Sequence, residues 1–289
     1  MTTQRRLFRI PLRGASVVLG ERTLVMGILN VTPDSFAGGS PKDNDAALAH
    51  GLRLFEEGAD WVDVGGESTR PGAEPVAEPE ELRRVVPVIE ALRRRGAGPI
   101  SIDTTKAAVA AAALDAGADL VNDVSGFGYD PAMAALVARR GVPAVLMHLR
   151  GGPGERHRAP AYRDVLGEVK AELATALERA AAAGVPREHT LVDPGIGFSK
   201  DAGHSLETLR RLPELASLER PLLVGPSRKS FIGRVLDRPV EERLLGTAGA
   251  VAACVMLGAH VVRVHDVREM VEVVRVCDAI RGDAARRAA

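Results

Sequence analysis

The chain alternates between short apolar runs and longer stretches in which leucine, alanine and charged residues recur at helical spacing. Eight runs stand out: "TLVMGIL" from Thr23, "WVDVG" from Trp61, "PISID" from Pro99, "LVNDV" from Leu120, "PAVLMH" from Pro143, "TLVDPG" from Thr190, "PLLVG" from Pro221 and "VVRVHDV" from Val261. Each run is rich in leucine or β-branched residues and is bounded by glycine or proline, a pattern typical of buried parallel strands. The stretches between them are predicted to be helices, and several end in a glycine that suits the residue following a helix.

Eight strand–helix units over about 265 residues match the size of a (β/α)₈ TIM barrel. A doubly wound sheet is the alternative, because hydrophobic periodicity does not reveal whether a sheet closes. The preceding segment contains "RRLFRIPLRG" and "VVLGERT" and predicts a β-hairpin that closes the barrel bottom. The sequence contains no linker or low-complexity tract, so residues 1–289 are expected to form a single domain.

The composition narrows the class of protein. The formal net charge is zero, with 46% hydrophobic and 26% charged residues, which predicts a globular protein and no nucleic acid or membrane as partner. Cys254 and Cys277 lie in apolar helical contexts and are expected to be packed thiols, which suits a cytoplasmic location. The basic N-terminus lacks the apolar region of a signal peptide, and no run reaches the roughly 20 apolar residues that span a bilayer.

A short repeat carries polar residues into the predicted strands. "GADWVD", "GADLVN" and "GAHVVR" start at Gly58, Gly117 and Gly258, and the fifth residues after these glycines are Asp63, Asn122 and Arg263. Gly-Ala is an ordinary helix-to-strand joint. An unpaired polar residue in a buried strand, however, costs about 2 kcal/mol or more in free energy of folding. At the C-terminal mouth of a barrel, solvent or a ligand offsets that cost, so the repeat indicates a functional mouth.

Every predicted strand ends in residues that can carry chemistry. In strand order they are Asn30; Asp63 with Glu67, Thr69 and Arg70; Asp103; Asn122 with Asp123; Met147 with His148; Asp193; Ser227 to Ser230; and Arg263, His265 and Asp266. Each one alone could be a cap, a turn residue or half of a salt bridge. Eight polar tips together favour a binding site at the carboxyl ends of the strands.

Two kinds of chemistry are predicted at that mouth. Asp103, Asn122 and Asp193 supply carboxylates and an amide, which suit the guanidine-like edge of a planar heterocycle such as a 2-amino-4-oxo pyrimidine. Four side chains are expected opposite them as cationic donors for an anion: Lys229, Arg263, His265 and Arg70. The seven histidines show no HxH or HExxH spacing, which argues against zinc, whereas Mg²⁺ carried in by a diphosphate is compatible with one or two protein oxygens.

The motifs together resemble those of the dihydropteroate synthases, which are pterin-binding barrel enzymes. The matching segments are "MGILNVTPDSF", "VDVGGESTRPGA", "SIDT", "VNDVSG", "LMHLRG", "DPGIGFSK", "VGPSRKSFIG" and "RVHDV", and they run in order from the first strand to the eighth. The resemblance implies a (β/α)₈ barrel, usually a homodimer, with its site at the C-terminal mouth. It also implies the reaction: 6-hydroxymethyl-7,8-dihydropterin diphosphate loses diphosphate, and the amine of p-aminobenzoate takes its place to give 7,8-dihydropteroate.

The resemblance also implies a role for particular residues. The pterin ring would contact Asp103, Asn122, Met147, Asp193 and Lys229. The diphosphate would contact Asn30, Thr69, Arg263 and His265, with Asn30 helping to hold Mg²⁺. The p-aminobenzoate would contact Phe36, Arg70, Pro71, Phe198 and Ser230, with Ser230 receiving its carboxylate. Thr32, Pro33 and Asp34 would take part in loop closure, and the catalytic set would be Lys229, Arg263, His265 and Asp103.

Departures from the family pattern and two alternatives remain. "SFAGGS" lacks an acidic residue often found in this loop, Phe127 stands where a second glycine is common, and Pro226 precedes the serine of "SRKS". Arg228 alternates with Lys229 and is expected to form a structural salt bridge. The alternatives are a methyltetrahydrofolate-dependent methyltransferase on the same barrel and a catalytically inactive pterin-binding paralogue.

Overall fold

The computed structural model describes residues 5–32, 41–68, 75–152 and 161–282. Its strands are β1 (Phe8–Leu12), β2 (Ala15–Leu19), β3 (Leu24–Asn30), β4 (Trp61–Gly65), β5 (Ile100–Asp103), β6 (Leu120–Asp123), β7 (Ala144–Met147), β8 (Thr190–Asp193), β9 (Leu223–Val224) and β10 (Val261–Val264). Its α-helices are α1 (Pro41–Glu56), α2 (Glu78–Arg94), α3 (Ala107–Ala116), α4 (Pro131–Arg140), α5 (Val165–Ala182), α6 (Ala202–Arg210), α7 (Ser230–Leu236), α8 (Leu244–Met256) and α9 (Val267–Arg281). No helix within these ranges has both the length and the apolar character needed to cross a membrane.

Strands β3 to β10 form one parallel sheet that closes into a barrel. The strand order is β8-β7-β6-β5-β4-β3-β10-β9. The two ends of that order meet through a parallel bridge between Val192 and Leu222, where the Val192 N–H donates to the Pro221 carbonyl at 3.0 Å. The eight apolar runs therefore are the eight strands of a (β/α)₈ barrel, and the doubly wound alternative is wrong.

The predicted N-terminal hairpin covers the bottom of this barrel. Strands β1 and β2 pair antiparallel, with Phe8 opposite Leu19. Ile10 and Leu19 are buried, and they share one apolar cluster with Leu24 of β3 and Trp61 of β4. Both of these barrel residues lie at the N-terminal ends of their strands, so the hairpin closes the end opposite to the strand tips.

The Gly-Ala repeat fixes the register of three strands. Its glycines have φ values of +102° at Gly58, +120° at Gly117 and +103° at Gly258, a left-handed backbone that favours glycine. The second residue after each glycine accepts a backbone N–H from the neighbouring strand: Asp60 from Val25 at 2.9 Å, Asp119 from Ile100 at 2.7 Å and His260 from Leu222 at 3.1 Å. The lower end of each strand is thus tied to its neighbour, and the polar fifth residue lies three positions nearer the mouth.

Both cysteines are buried and free of disulfides, which confirms that they are packed thiols. Cys254 lies on α8 and Cys277 on α9. Burial raises the pKa of the Cys254 thiol to about 12, so the reactive thiolate is suppressed at neutral pH.

Candidate active site

A cavity of about 590 Å³ opens at the carboxyl ends of the strands. Ten of the residues predicted from the sequence line it: Asn30, Asp103, Asn122, Met147, Asp193, Phe198, Lys229, Ser230, Arg263 and His265. Apolar side chains, among them Ile28, Val124 and Ile196, fill the space between them. The strand tips therefore converge on one concave site with a mixed apolar and polar wall, which is typical of small-molecule pockets.

Seven predicted site residues remain, and the structure describes one of them, Thr32. Thr32 follows β3 and is buried, but it does not line the cavity. Six predicted residues fall outside the described ranges: Pro33, Asp34, Phe36, Thr69, Arg70 and Pro71.

The three polar residues of the repeat meet directly. The buried Asp63 carboxylate accepts from the Asn122 side-chain amide at 2.8 Å and from Arg263 Nε at 2.7 Å, both on Oδ2. The Arg263 Nη2 donates to Asp103 Oδ2 at 2.7 Å. One guanidinium thus joins strands β4, β5 and β10, and the same carboxylate orients the amide on β6.

This network corrects the expectation that carboxylates and cations face each other from opposite sides. Arg263 lies between Asp63 and Asp103 because only a cation there can balance two buried carboxylates. Burial opposes the charge of Arg263, but the attraction of the two carboxylates outweighs it and raises the pKa of the guanidinium. Asp63 was recognised as a polar strand tip, but its role as a common acceptor was not foreseen.

Asp193 and Lys229 influence each other's charge within the cavity, and Lys229 also contacts an aromatic ring. Burial raises the pKa of Asp193, while the Gly195 N–H at 2.7 Å and the nearby Lys229 and Arg263 cations oppose the rise. Burial and repulsion from Arg263 lower the pKa of the Lys229 ammonium. The Lys229 Nζ lies 3.8 Å from the centroid of the Phe198 ring, a cation–π contact that fixes both side chains on one wall.

His265 is a neutral donor rather than a cation, which corrects a second expectation. Burial, together with the charges of Arg263 and Arg228, lowers the pKa of His265 to about 3. Ser227 Oγ accepts the backbone N–H of His265 at 3.2 Å and lies 3.0 Å from Nδ1. The serine hydroxyl thus holds both the backbone and the Nδ1 side of the neutral imidazole.

Arg228 forms the expected salt bridge. Its guanidinium binds both carboxylate oxygens of Asp266 through Nε, at 3.0 Å, and Nη2. Its φ of +55° is unusual for a residue with a side chain, and the paired guanidinium helps to hold it. The next residue in the chain, Lys229, lines the cavity together with Arg228.

Two clusters of charged side chains beside the cavity were not foreseen. Lys200 lies at the end of the motif "DPGIGFSK" and is only 4% exposed, with its ammonium 2.8 Å from His148 Nδ1. On the other flank, Lys106 donates to Glu67 at 2.7 Å and to the buried Glu81. A lysine in a loop after a strand gives no sequence signal for burial, because most such lysines are solvated.

The side chains near the cavity can be compared with the ligands that the expected Mg²⁺ would need. Within the described ranges there is no group of three or more His, Cys, Asp or Glu side chains arranged to hold a metal ion. The Asn30 side chain ends β3 at the cavity and offers one amide oxygen. A single neutral oxygen fits Mg²⁺ that arrives with several oxygen ligands of its own, and it does not fit a resident protein metal centre.

Comparison with known proteins adds independent findings. The family model described as "Pterin binding enzyme" matches residues 26–265. A dihydropteroate synthase of Synechocystis sp. is 48% identical over 263 residues, covering 90% of this chain and 91% of its own length.

Two solved structures are similar across nearly the whole chain. A Xanthomonas albilineans dihydropteroate synthase with 4-aminobenzoic acid superposes with a TM-score of 0.89 at 45% identity, covering 96% of this chain and 99% of the other. A structure of the enzyme from the same organism in complex with 7,8-dihydropteroate gives a TM-score of 0.86 at 42% identity, covering 94% and 98% of the two chains.

Proposed function

This chain belongs to the pterin-binding enzyme family, and we propose that it catalyses the dihydropteroate synthase reaction. The bond between the pterin methylene carbon and the diphosphate oxygen breaks, and its electron pair leaves with the diphosphate. The p-aminobenzoate nitrogen then bonds to that carbon and releases a proton, which gives 7,8-dihydropteroate. The observation that carries the proposal is one cavity in which Asp193, Asn122 and Arg263 converge.

The ring is held by the buried polar groups of the cavity. Asp193 accepts the N–H groups of the 2-amino pyrimidine edge, and Asn122 both donates and accepts beside it. Asp63 fixes the Asn122 amide through Nδ2, which leaves the Asn122 oxygen to accept from the ligand. Met147 and Ile196 supply apolar contact to the ring. A correctly held ring can delocalise the positive charge that develops on the methylene carbon.

The leaving group is stabilised by the strand tips around β10. The diphosphate is proposed to be held by N–H donors from Arg263 and neutral His265 and by the side-chain amide of Asn30. Mg²⁺ bound to the diphosphate would neutralise part of its charge. Asn30 would supply the protein oxygen to that ion. Since no covalent intermediate with the protein is needed, catalysis depends on position and charge.

The p-aminobenzoate is proposed to enter over the outer wall of the cavity. Phe198 packs against its ring, and the exposed Ser230 at the start of α7 receives its carboxylate. The 4-aminobenzoic acid in the Xanthomonas albilineans structure supports this class of second substrate. Roles for Thr69, Arg70, Pro71 and Phe36 in the same pocket, and for Thr32, Pro33 and Asp34 in loop closure, remain proposals from the motifs.

A cytoplasmic homodimer is proposed as the working form. Large apolar side chains are exposed on neighbouring helices α8 and α9, with Leu245 84%, Val276 60% and Ile280 69% exposed. Large exposed apolar side chains of this kind favour a second copy as the partner. Leu245→Glu should convert the dimer to a monomer in sedimentation experiments, whereas Arg9→Ala on the hairpin should leave the mass unchanged.

The activity is tested by mixing the purified protein with dihydropterin diphosphate and p-aminobenzoate in the presence of Mg²⁺. We expect diphosphate and dihydropteroate to appear in equal amounts. A protein that binds the pterin but releases no diphosphate would be the inactive paralogue. A protein that transfers a methyl group from methyltetrahydrofolate would be the methyltransferase.

A further inference from the structure

Lys200 is buried without a carboxylate in hydrogen-bond contact, as far as the described part of the chain goes. Its ammonium lies 2.8 Å from His148 Nδ1 and 3.2 Å from each of two backbone carbonyls, those of Gly195 and Phe198. The residue is 4% exposed. Burying an ammonium group costs free energy of folding, so its presence here points to a functional role.

The two carbonyls bracket a wall of the cavity. Ile196 and Gly197 lie between Gly195 and Phe198, and both line the pocket together with Phe198. The Gly195 N–H donates to the Asp193 carboxylate at 2.7 Å, and the Phe198 ring lies under the Lys229 ammonium. Lys200 thus holds both ends of the turn that carries the contacts of Asp193 and Lys229.

The Gly195–Phe198 turn is closely packed and has little room to shift. Gly195 has a φ of +67°, and a Cβ at this position would lie 2.1 Å from the His148 carbonyl oxygen. The His148 N–H in turn donates to the Asp193 carbonyl at 2.8 Å. The turn, the His148 backbone and the Asp193 backbone are thus in direct contact, so we expect a change in how Lys200 binds the turn to reach Asp193.

His148 is oriented so that it can accept from Lys200. Burial and the charge of Lys200 lower the pKa of His148 to about 4, so its ring is neutral at pH 7. With Nδ1 accepting from the ammonium, the proton is on Nε2, which donates to Glu172 at 3.0 Å. Arg150 holds Glu172 from the other side through Nε at 2.8 Å.

We propose that Lys200 is a positioning residue of the pterin site, holding the Gly195–Phe198 turn and supplying positive charge near the Asp193 carboxylate that binds the ring. The proposal rests on the proposed function, because Asp193 is its ring-binding group. Lys200 itself does not line the cavity.

The surrounding charges agree with this role. Asp193 is favoured in its ionised form by Lys229, Arg263 and Lys200. Lys200 is favoured in its charged form by Asp193 and Glu172 and opposed by Arg150 and Lys229. Burial lowers the pKa of Lys200 to about 7, so the ammonium carries its charge in the acidic range where the carboxylate of Asp193 gains its proton.

The test measures binding of 6-hydroxymethyl-7,8-dihydropterin by calorimetry between pH 5 and pH 8. Lys200→Met should weaken binding about tenfold and should move the acidic loss of affinity upward by roughly half a pH unit, because a charge that favours ionised Asp193 is gone. Lys200→Arg keeps the positive charge, so its affinity should be lost at the same acidic pH as that of the unchanged protein. Titration of the ligand itself is common to all variants and cancels in the comparison.

Lys170→Met on α5 is the matched control, since it removes a lysine from outside the cavity and should change neither quantity. If Lys200→Met does not fold, Lys200→Gln replaces it, because its amide can still donate to one carbonyl but carries no charge. Unchanged affinity, or a loss that is equal at every pH, would overturn the proposal. Failure of the unchanged protein to bind the dihydropterin at all would instead refute the proposed function.

Discussion

At the scale of the residue, Asp63 determines how two neighbours meet a ligand. Its Oδ2 accepts from Asn122 and from Arg263, so the amide and the guanidinium are fixed by the same buried atom. Groups fixed in this way need no reorganisation when substrate binds, and preorganised donors are the main source of charge stabilisation in enzymes. Ring recognition and leaving-group stabilisation are thereby coupled through one carboxylate.

Arg263→Ala is expected to lower kcat by on the order of 10² or more, because it removes a cation from the developing diphosphate charge. From the sequence alone, pterin binding would be largely spared. The structure predicts a loss there as well, because the Asp63 and Asp103 carboxylates both lose the cation that they share. Steady-state kinetics and calorimetry with the pterin measure the two effects separately.

The double variant Arg263→Ala with Asp63→Asn is the control for this coupling. It removes one of the two buried charges and should recover part of the pterin affinity without recovering kcat. Pterin binding that is unaffected by Arg263→Ala alone would mean that Arg263 acts on the leaving group only.

Asp193→Asn should weaken pterin binding by roughly 1.5–3 kcal/mol, since a charge-assisted pair with the ligand is lost. The pKa of Asp193 is raised by burial, so the affinity of the unchanged protein should fall as the pH drops through that raised pKa. The variant should lose this acidic dependence. Calorimetry across the pH range measures both, and an unchanged affinity would remove Asp193 from the ring site.

Sequence reasoning found the residues at strand tips but missed their supports. Asp103, Asn122, Asp193 and Arg263 follow recognisable strands, so the topology of a closed barrel brings them together. Lys200 and Glu81 were missed because their partners, His148 and Lys106, lie on other elements, and no local pattern encodes such a contact. Whether a charged side chain is buried depends on packing that a single sequence does not display.

At the scale of the element, the strands were predictable because burial on both faces demands continuous apolar runs. β9 is an exception in length: only Leu223 and Val224 are strand residues, although the apolar run is longer. The turn after β6 is also unusual, since Phe127 has a φ of +63° that favours glycine. Its backbone N–H donates to Asp123 and its ring is buried, which offset the strain.

The hairpin gives a prediction at this scale. Ile10→Ala should lower the free energy of unfolding by about 2–4 kcal/mol, because it opens a cavity in the apolar cluster at the barrel bottom. Pterin affinity should stay the same, since the cavity lies at the opposite ends of the strands. Denaturant unfolding and calorimetry check the two parts.

Arg9→Ala, at the exposed neighbouring position of β1, is the matched control and should change stability little. If Ile10→Ala also weakened pterin binding, the two ends of the barrel would not be independent.

At the scale of the whole molecule, the two ends of the barrel carry different tasks. The Asp60, Asp119 and His260 side chains tie neighbouring strands together at the bottom, and the fifth residues of the same repeats build the site at the top. Within one short motif, the residue that stabilises the strands and the residue that serves the site are three positions apart. The repeat was visible in the sequence, but only its upper residues were given a function, because a polar residue next to a helix end has many ordinary explanations.

Buried neutral histidines should make the protein sensitive to acid. Burial lowers the pKa of His260 and of His148 to about 4, against an ordinary value of 6.5. The unfolded chain then binds protons that the folded chain does not, so stability is fully present above pH 6.5 and is lost as the pH falls toward 4. The raised pKa of Asp123, about 6, acts in the opposite direction between pH 6 and 3.8.

His260→Asn isolates one of these contributions. The asparagine oxygen can still accept the Leu222 N–H, as Asp60 and Asp119 do at the equivalent positions, but it does not titrate. The variant should lose some stability at every pH, since the Phe8 ring contact and the bond to the Arg6 carbonyl disappear. When the pH falls from 6.5 to 4, the free energy of unfolding should decrease less in the variant than in the unchanged protein, by up to about 3 kcal/mol. Denaturant unfolding at several pH values measures that difference, and His189→Asn is the control at a half-buried histidine. If the stability of His260→Asn and of the unchanged protein fell in parallel with pH, His260 would not be the acid-sensitive group.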